Sequence, residues 1–174
     1  MTERFKKNTS LLNNSIMSKI EKFDRIRFFS FVEAELMALL EYQDNEVFSG
    51  IACWFSCLVL DSSDGKDRKK GVCNFDDWAH GIDFSYAFSS KEENEKETFL
   101  RYQNDFYSIR DDYEKGLKSI DDVKHTSYYK LMIQLLTYLN ESSVFNDIKT
   151  TKDFDVYVVI HEKKLIPNMV NIQI

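Results

Sequence analysis

Two neighbouring stretches decide the fold: Tyr128-Tyr-Lys-Leu-Met-Ile-Gln-Leu-Leu-Thr-Tyr-Leu139 and, after a polar break at Asn140 to Ser143, Asp153-Phe-Asp-Val-Tyr-Val-Val-Ile160. In the first, Tyr128, Leu131, Met132, Leu135, Leu136 and Leu139 recur at steps of three, one, three, one and three. That spacing puts all six on one stripe of a 3.6-residue helix, so the stripe must face a core. In the second, β-branched and aromatic residues fill both alternating faces, the pattern of a strand covered on both sides. A helix leading into a buried strand makes the centre of a mixed α/β domain.

Working outward, Phe99, Tyr102, Phe106, Ile109, Tyr113 and Leu117 repeat at steps of three and four, which predicts a helix of roughly six turns ended by Gly116 or by the Ser119 to Asp122 segment. Ser89-Ser90 followed by Glu92 and Glu93 supplies its start, since a hydroxyl accepts orphan amide bonds and the acids suit the positive end of the helix dipole. Upstream, Ser15 to Gln43 carries apolar residues at helical steps with no Gly or Pro, and reads as a long helix bent near Arg27. Val47 to Leu60 reads as the first strand, on the strength of its length, its Ser-Gly pair and its β-branched residues. Asp61 to Asp67 has the composition of an exposed loop, and Val72 to Phe75 of a short returning strand. Phe84, Tyr86 and Phe88 lie two apart, as in a strand. Glu162-Lys163-Lys164 reads as a turn into Leu165 to Ile174, where Val170, Ile172 and Ile174 alternate with polar residues; Pro167 fits the start or an edge of that strand.

Only one Pro and five Gly argue against an all-β sandwich, and the 14 Phe, 9 Tyr and 2 Trp supply core volume. The expected class is α+β, with long helices packed on a small, mostly antiparallel sheet. A chain of 174 residues fits one domain and can bury about 70% of its unfolded surface. The expected division is a polar, frayed stretch at 1–14 and a single domain at 15–174.

A net charge of −6 opposes binding to nucleic acid and makes a basic partner the easier one. Three cysteines close no disulfide framework, and Met1 to Asn14 has charges but no apolar run, so a reducing cytoplasm is the expected compartment. Val47 to Leu60 is too short and too interrupted to span a bilayer.

Few residues suggest chemistry. Cys53 and Cys57 are spaced four apart, but a zinc site needs about four ligands and Cys73 is the sole further cysteine; they read as buried free thiols. Asp76, Asp77, His80 and Asp83 surround Trp78 and could hold a divalent metal or act as acid and base if they converged. The plainer reading is an Asp-Asp helix cap over a core tryptophan. His125 at a helix start and His161 at a strand end read as surface residues. No Gly-rich phosphate loop, Gly-x-Ser-x-Gly elbow or His-Glu-x-x-His is present, so no catalytic residue, cofactor or metal is expected.

Charge is more informative. Phe28 to Gly65 contains no Lys or Arg, while Glu33, Glu35, Glu41, Asp44, Glu46, Asp61 and Asp64 give it −7. A second acidic group runs through Asp105, Asp111, Asp112, Glu114, Asp121 and Asp122, offset in part by Arg110, Lys115 and Lys118. Such runs are either a solvated face or a docking surface that steers a basic partner. On the second reading Glu33, Glu35, Glu41, Asp44, Glu46, Asp111 and Asp112 are the candidate partner-binding residues.

Trp78 after an acidic pair, the aromatic helix through Tyr102 and Tyr113, and Leu135-Leu-Thr-Tyr-Leu-Asn-Glu-Ser-Ser-Val-Phe145 leading to Asp155-Val-Tyr-Val-Val-Ile160 together resemble a bacterial domain family found among immunity proteins of polymorphic toxin systems. The resemblance spans Phe48 to Glu162. Its first strand departs from the family's Phe-Tyr-Ala-Phe run, reading Phe48-Ser-Gly-Ile-Ala52, and the basic turn Lys66 to Lys70 has no counterpart. It implies a non-enzymatic cytoplasmic protein that binds a basic toxin domain; if that toxin is a nuclease, the acids would imitate phosphates. The competing expectations are a small metal-dependent enzyme built on Asp76, Asp77, His80 and Asp83, and a homo-oligomeric regulatory module pairing through Leu165 to Ile174.

Overall fold

The computed structural model describes residues 23–42, 46–54, 56–61, 80–142, 144–160 and 163–165. Along the chain these form α1 (Arg25–Tyr42), β1 (Phe48–Trp54), β2 (Cys57–Asp61), β3 (His80–Asp83), a 3-10 turn (Phe84–Ala87), α2 (Glu93–Glu114), α3 (Ile120–His125), α4 (Ser127–Glu141), a second 3-10 turn (Val144–Asp147), β4 (Thr150–Ile160) and β5 (Lys163–Leu165). The sheet order is β3-β2-β1-β4-β5; β1 and β4 run parallel and every other pair is antiparallel. Helices on a small, mostly antiparallel sheet make this an α+β fold, as the composition and periodicity predict.

Side-chain alternation sorts the sheet into two faces. Ile51 stands opposite Leu60 and Val156, Cys53 opposite Leu58 and Val158, and Leu58 opposite Ile82. All of these join the main core with the helices. The intervening residues Ala52, Val59, Tyr157 and Val159 form a second, smaller buried cluster on the other face. Val156 to Ile160 are therefore buried throughout, which is why the β4 sequence is apolar on both faces. Phe48 has the parity of Ala52 yet lies in the main core. The register slips between Phe48, opposite Thr150, and Gly50, opposite Asp155, and this irregularity turns the ring over.

The stripe on α4 is buried as its period requires, from Tyr128 through Leu139. Around it the rings of Phe23, Phe28, Phe84, Phe88, Phe99 and Tyr128 meet at centroid distances of 5.4 to 6.3 Å, mostly edge-on or tilted. Such pairs add to what their burial alone contributes.

Several expectations are corrected. Val47 to Leu60 is a hairpin of two strands, because Trp54 pairs with Cys57 and leaves only two residues for the turn. Phe84 to Phe88 is not a strand. The Asp83 carboxylate accepts the Ser85 amide at 2.7 Å and starts a 3-10 turn there, which buries Phe84 and Ala87 and exposes Tyr86. Lys163 and Lys164 belong to β5 rather than a turn, pairing with Val159 and Ile160 to cover the outer edge of β4. The helix expected from Ser15 begins, among the described residues, at Arg25, where the Asp24 carboxylate accepts the Arg27 amide at 3.1 Å. That cap stands where a bend was expected. Leu117 lies past the end of α2 and is 70% exposed. His125 closes α3 rather than opening a helix, its Nδ1 lying 2.6 Å from the Asp121 carbonyl oxygen. The segments 1–22, 62–79 and 166–174 lie outside the described residues, and with them the strand expected at Val72 to Phe75 and all but the first residue of the one expected at Leu165 to Ile174.

Candidate functional site: an acidic, aromatic cleft

Arg27 sets the position of α1. One guanidinium nitrogen donates to Glu95 at 2.8 Å, another to the Ala87 carbonyl at 2.6 Å, and the group lies 5.7 Å from the centre of the Phe88 ring. The first turn of α1 is thereby tied to both the 3-10 turn and the start of α2. Beyond this point Phe31, Glu35, Ala38, Leu39 and Tyr42 recur at steps of four, three, one and three, one stripe of the helix. The stripe faces Gly81, Ile82 and Asp83 of β3 and Tyr86 of the 3-10 turn across an open cleft of about 340 Å³.

The cleft has a buried apolar element in Ile82 and two nearly bare rings, Tyr42 at 87% and Tyr86 at 79% exposure. Among the described residues its charged lining is Glu35 and Asp83, with no Lys, Arg or His. One Asp83 oxygen is taken by the Ser85 amide. Glu35 is solvent-exposed and forms no ion pair among the described residues. Negative potential inside a concave, ring-lined surface attracts a cation with an apolar body.

Of the seven acids expected to bind a partner, Glu35 is the one that lines the cleft among the described residues. Glu33 accepts a hydrogen bond from the Tyr138 hydroxyl at 2.7 Å, and Glu46 lies 2.8 Å from His80 Nε2. Asp111 takes two bonds from Arg110, at 2.7 and 3.0 Å. Glu33 thereby links α1 to α4 and Glu46 links the approach to β1 with β3, whereas Asp111 is paired with its own neighbour along α2. Glu41 is exposed in the last turn of α1, and Asp44 lies outside the described residues. Asp111 and Asp112 stand 16 and 17 residues along α2 from Glu95, about 24 Å down its axis from the point where α1 is anchored.

The proposed metal cluster fares differently. Asp76 and Asp77 lie outside the described residues. His80 and Asp83 project from opposite faces of β3, one engaged with Glu46 and the other capping the 3-10 turn. Among the described residues no three His, Cys, Asp or Glu side chains are placed to hold a metal ion. Cys53 is buried toward the helices and Cys57 packs on the opposite face. Burial raises both thiols, and the nearby Asp83 charge raises Cys57 further, so neither favours the reactive thiolate.

Comparisons with protein-family models, with curated proteins and with solved structures find no match. The reading of this site therefore rests on its own chemistry. Sequence reasoning named Glu35 but missed Phe31, Tyr42 and Tyr86 as site residues, and assigned Asp83 to a different cluster. The spacing from Phe31 to Tyr42 held the signal for one helix face. What it lacked was the opposing wall, since β3 and the turn after it were not legible.

Proposed function

We propose that the chain is a non-enzymatic binding protein that holds a basic protein partner on its acidic face, most concretely an immunity protein that neutralises a cognate bacterial toxin in the cytoplasm. The observation that carries this reading is the cleft itself, which joins Glu35 and Tyr42, from the stretch Phe28 to Gly65 that has no Lys or Arg, to Asp83 and the exposed Tyr86. Aromatic residues are enriched at protein interfaces, and complementary charge raises association rates. The resemblance of Phe48 to Glu162 to immunity proteins gives the partner its class.

The test is a pull-down from the source cells with the whole chain as bait, the eluate being identified by mass spectrometry. The expected result is one basic protein at one-to-one ratio, lost when Glu35 and Glu41 are both changed to Lys. Both side chains are exposed, so the double variant should keep its fold. The association rate should also fall as salt rises from about 50 to 500 mM, because screening shortens the reach of the acidic field. A partner held equally well by the double variant would overturn the acidic-face reading.

A further inference from the structure

We propose that the cleft between α1 and β3 receives an arginine side chain of the protein partner, its guanidinium lying against the tyrosine rings and paired with Glu35 and Asp83. The inference rests on the reading above, that the partner is a basic protein, and names the group by which it is recognised.

Charge complementarity selects the occupant. A neutral apolar group would have to strip water from two carboxylates with nothing to replace it, an unfavourable exchange. A bare divalent cation would find two carboxylates and no third ligand among the described residues. Between the two cationic side chains, lysine offers a compact and strongly hydrated charge. Arginine presents a flat, weakly hydrated plane that stacks on aromatic rings while its edge pairs with carboxylates. The cleft offers both kinds of surface at once: Phe31, Tyr42 and Tyr86 as rings, Glu35 and Asp83 as acceptors. Asp83 is fixed by its bond to the Ser85 amide, so one acceptor is already oriented before a ligand arrives. The Arg27 clasp, which ties α1 to the turn bearing Tyr86, holds the two walls together.

The probe is N-acetyl-arginine methylamide, titrated into the full chain and followed by amide proton–nitrogen NMR, with N-acetyl-citrulline methylamide as a neutral control of the same shape. The expected result is saturable, millimolar binding of the arginine compound alone, with shifts concentrated in residues 31–42 and 81–86. Tyr86→Ala should weaken it about threefold, Tyr86→Phe should retain it, and Glu35→Gln should weaken it by a similar factor. Both positions are exposed, so unchanged spectra away from the cleft will verify the fold. Equal shifts with citrulline, shifts centred elsewhere, or no shifts at all would overturn the inference.

The two readings fail separately. If the arginine compound does not bind but a basic protein is still recovered and is lost on Glu41→Lys, the cleft assignment falls and the binding function stands. If the compound binds and no protein partner is recovered, the cleft stands and the proposed function falls.

Discussion

At the scale of single residues, Gly116 and Arg27 show how far one side chain, or its absence, decides local structure. Gly116 has φ of 75°, the left-handed conformation that stops α2 after Glu114. An added Cβ would meet nothing within 4 Å, so a substitution there strains the backbone without a clash. Gly116→Ala should therefore cost about 1 kcal/mol and Gly116→Asn less, read from urea denaturation midpoints. If alanine were neutral, the positive φ would not be what stops the helix. Arg27 acts by geometry as much as by charge. Its fork reaches Glu95 and the Ala87 carbonyl together while stacking on Phe88, and no single ammonium can do all three. Arg27→Lys should lower stability by about 1–2 kcal/mol despite keeping the charge, whereas a wild-type midpoint would mean that attraction to Glu95 alone ties the elements.

At the scale of elements, α3 is short and depends on its cap. The Asp122 carboxylate accepts the Ser119 amide and hydroxyl, both at 2.8 Å, while the Asp122 amide donates to the hydroxyl at 3.2 Å. The Ser119 amide first, and its hydroxyl second, hold the Asp122 carboxyl below the usual carboxylate range. A folded-state value below the unfolded one of about 3.9 means that folding favours the ionised form. The stabilisation is present at neutral pH and is lost as pH falls through the folded-state value. Carboxyl NMR titration of Ser119→Ala should show Asp122 rising toward the ordinary range only in part, since the backbone amide remains. No rise at all would mean that the hydroxyl contributes nothing. This cap was written in the sequence as Ser-x-x-Asp, yet six residues carry too little periodicity to announce a helix. The long elements were legible because burial imposes a period on them: the stripe of α4, the aromatic face of α2 and the apolar run of β4. The β1–β2 hairpin was not, because both strands are apolar and neither Gly nor Pro marks the reversal between Trp54 and Cys57. The cleft suffered from the same gap. Its α1 wall followed from spacing, while its β3 wall rests on four residues whose strand character comes from pairing with β2.

At the scale of the whole molecule, the parallel pairing of β1 with β4 closes the fold. Phe48 stands opposite Thr150, so this contact encloses β2, β3, both 3-10 turns and helices α2 to α4. Closing a loop of about a hundred residues costs entropy that only the packed core between the two strands can repay. The centre of the sheet should therefore form with the molecule as a whole and open with it. Both β1 and β4 have a neighbour on each side, whereas β3 and β5 stand at the edges of the described sheet and are four and three residues long. Hydrogen exchange followed by mass spectrometry in low denaturant should then give peptides of residues 50–54 and 155–160 one common opening free energy, equal to that of global unfolding. The edge strands and α3 should open at lower energy, and α4 should exchange with the sheet centre because its whole apolar stripe packs on that face. If β1 instead exchanged well before α4, the helices would form a unit able to stand without the sheet, and the parallel pair would be an addition to the core rather than its closure.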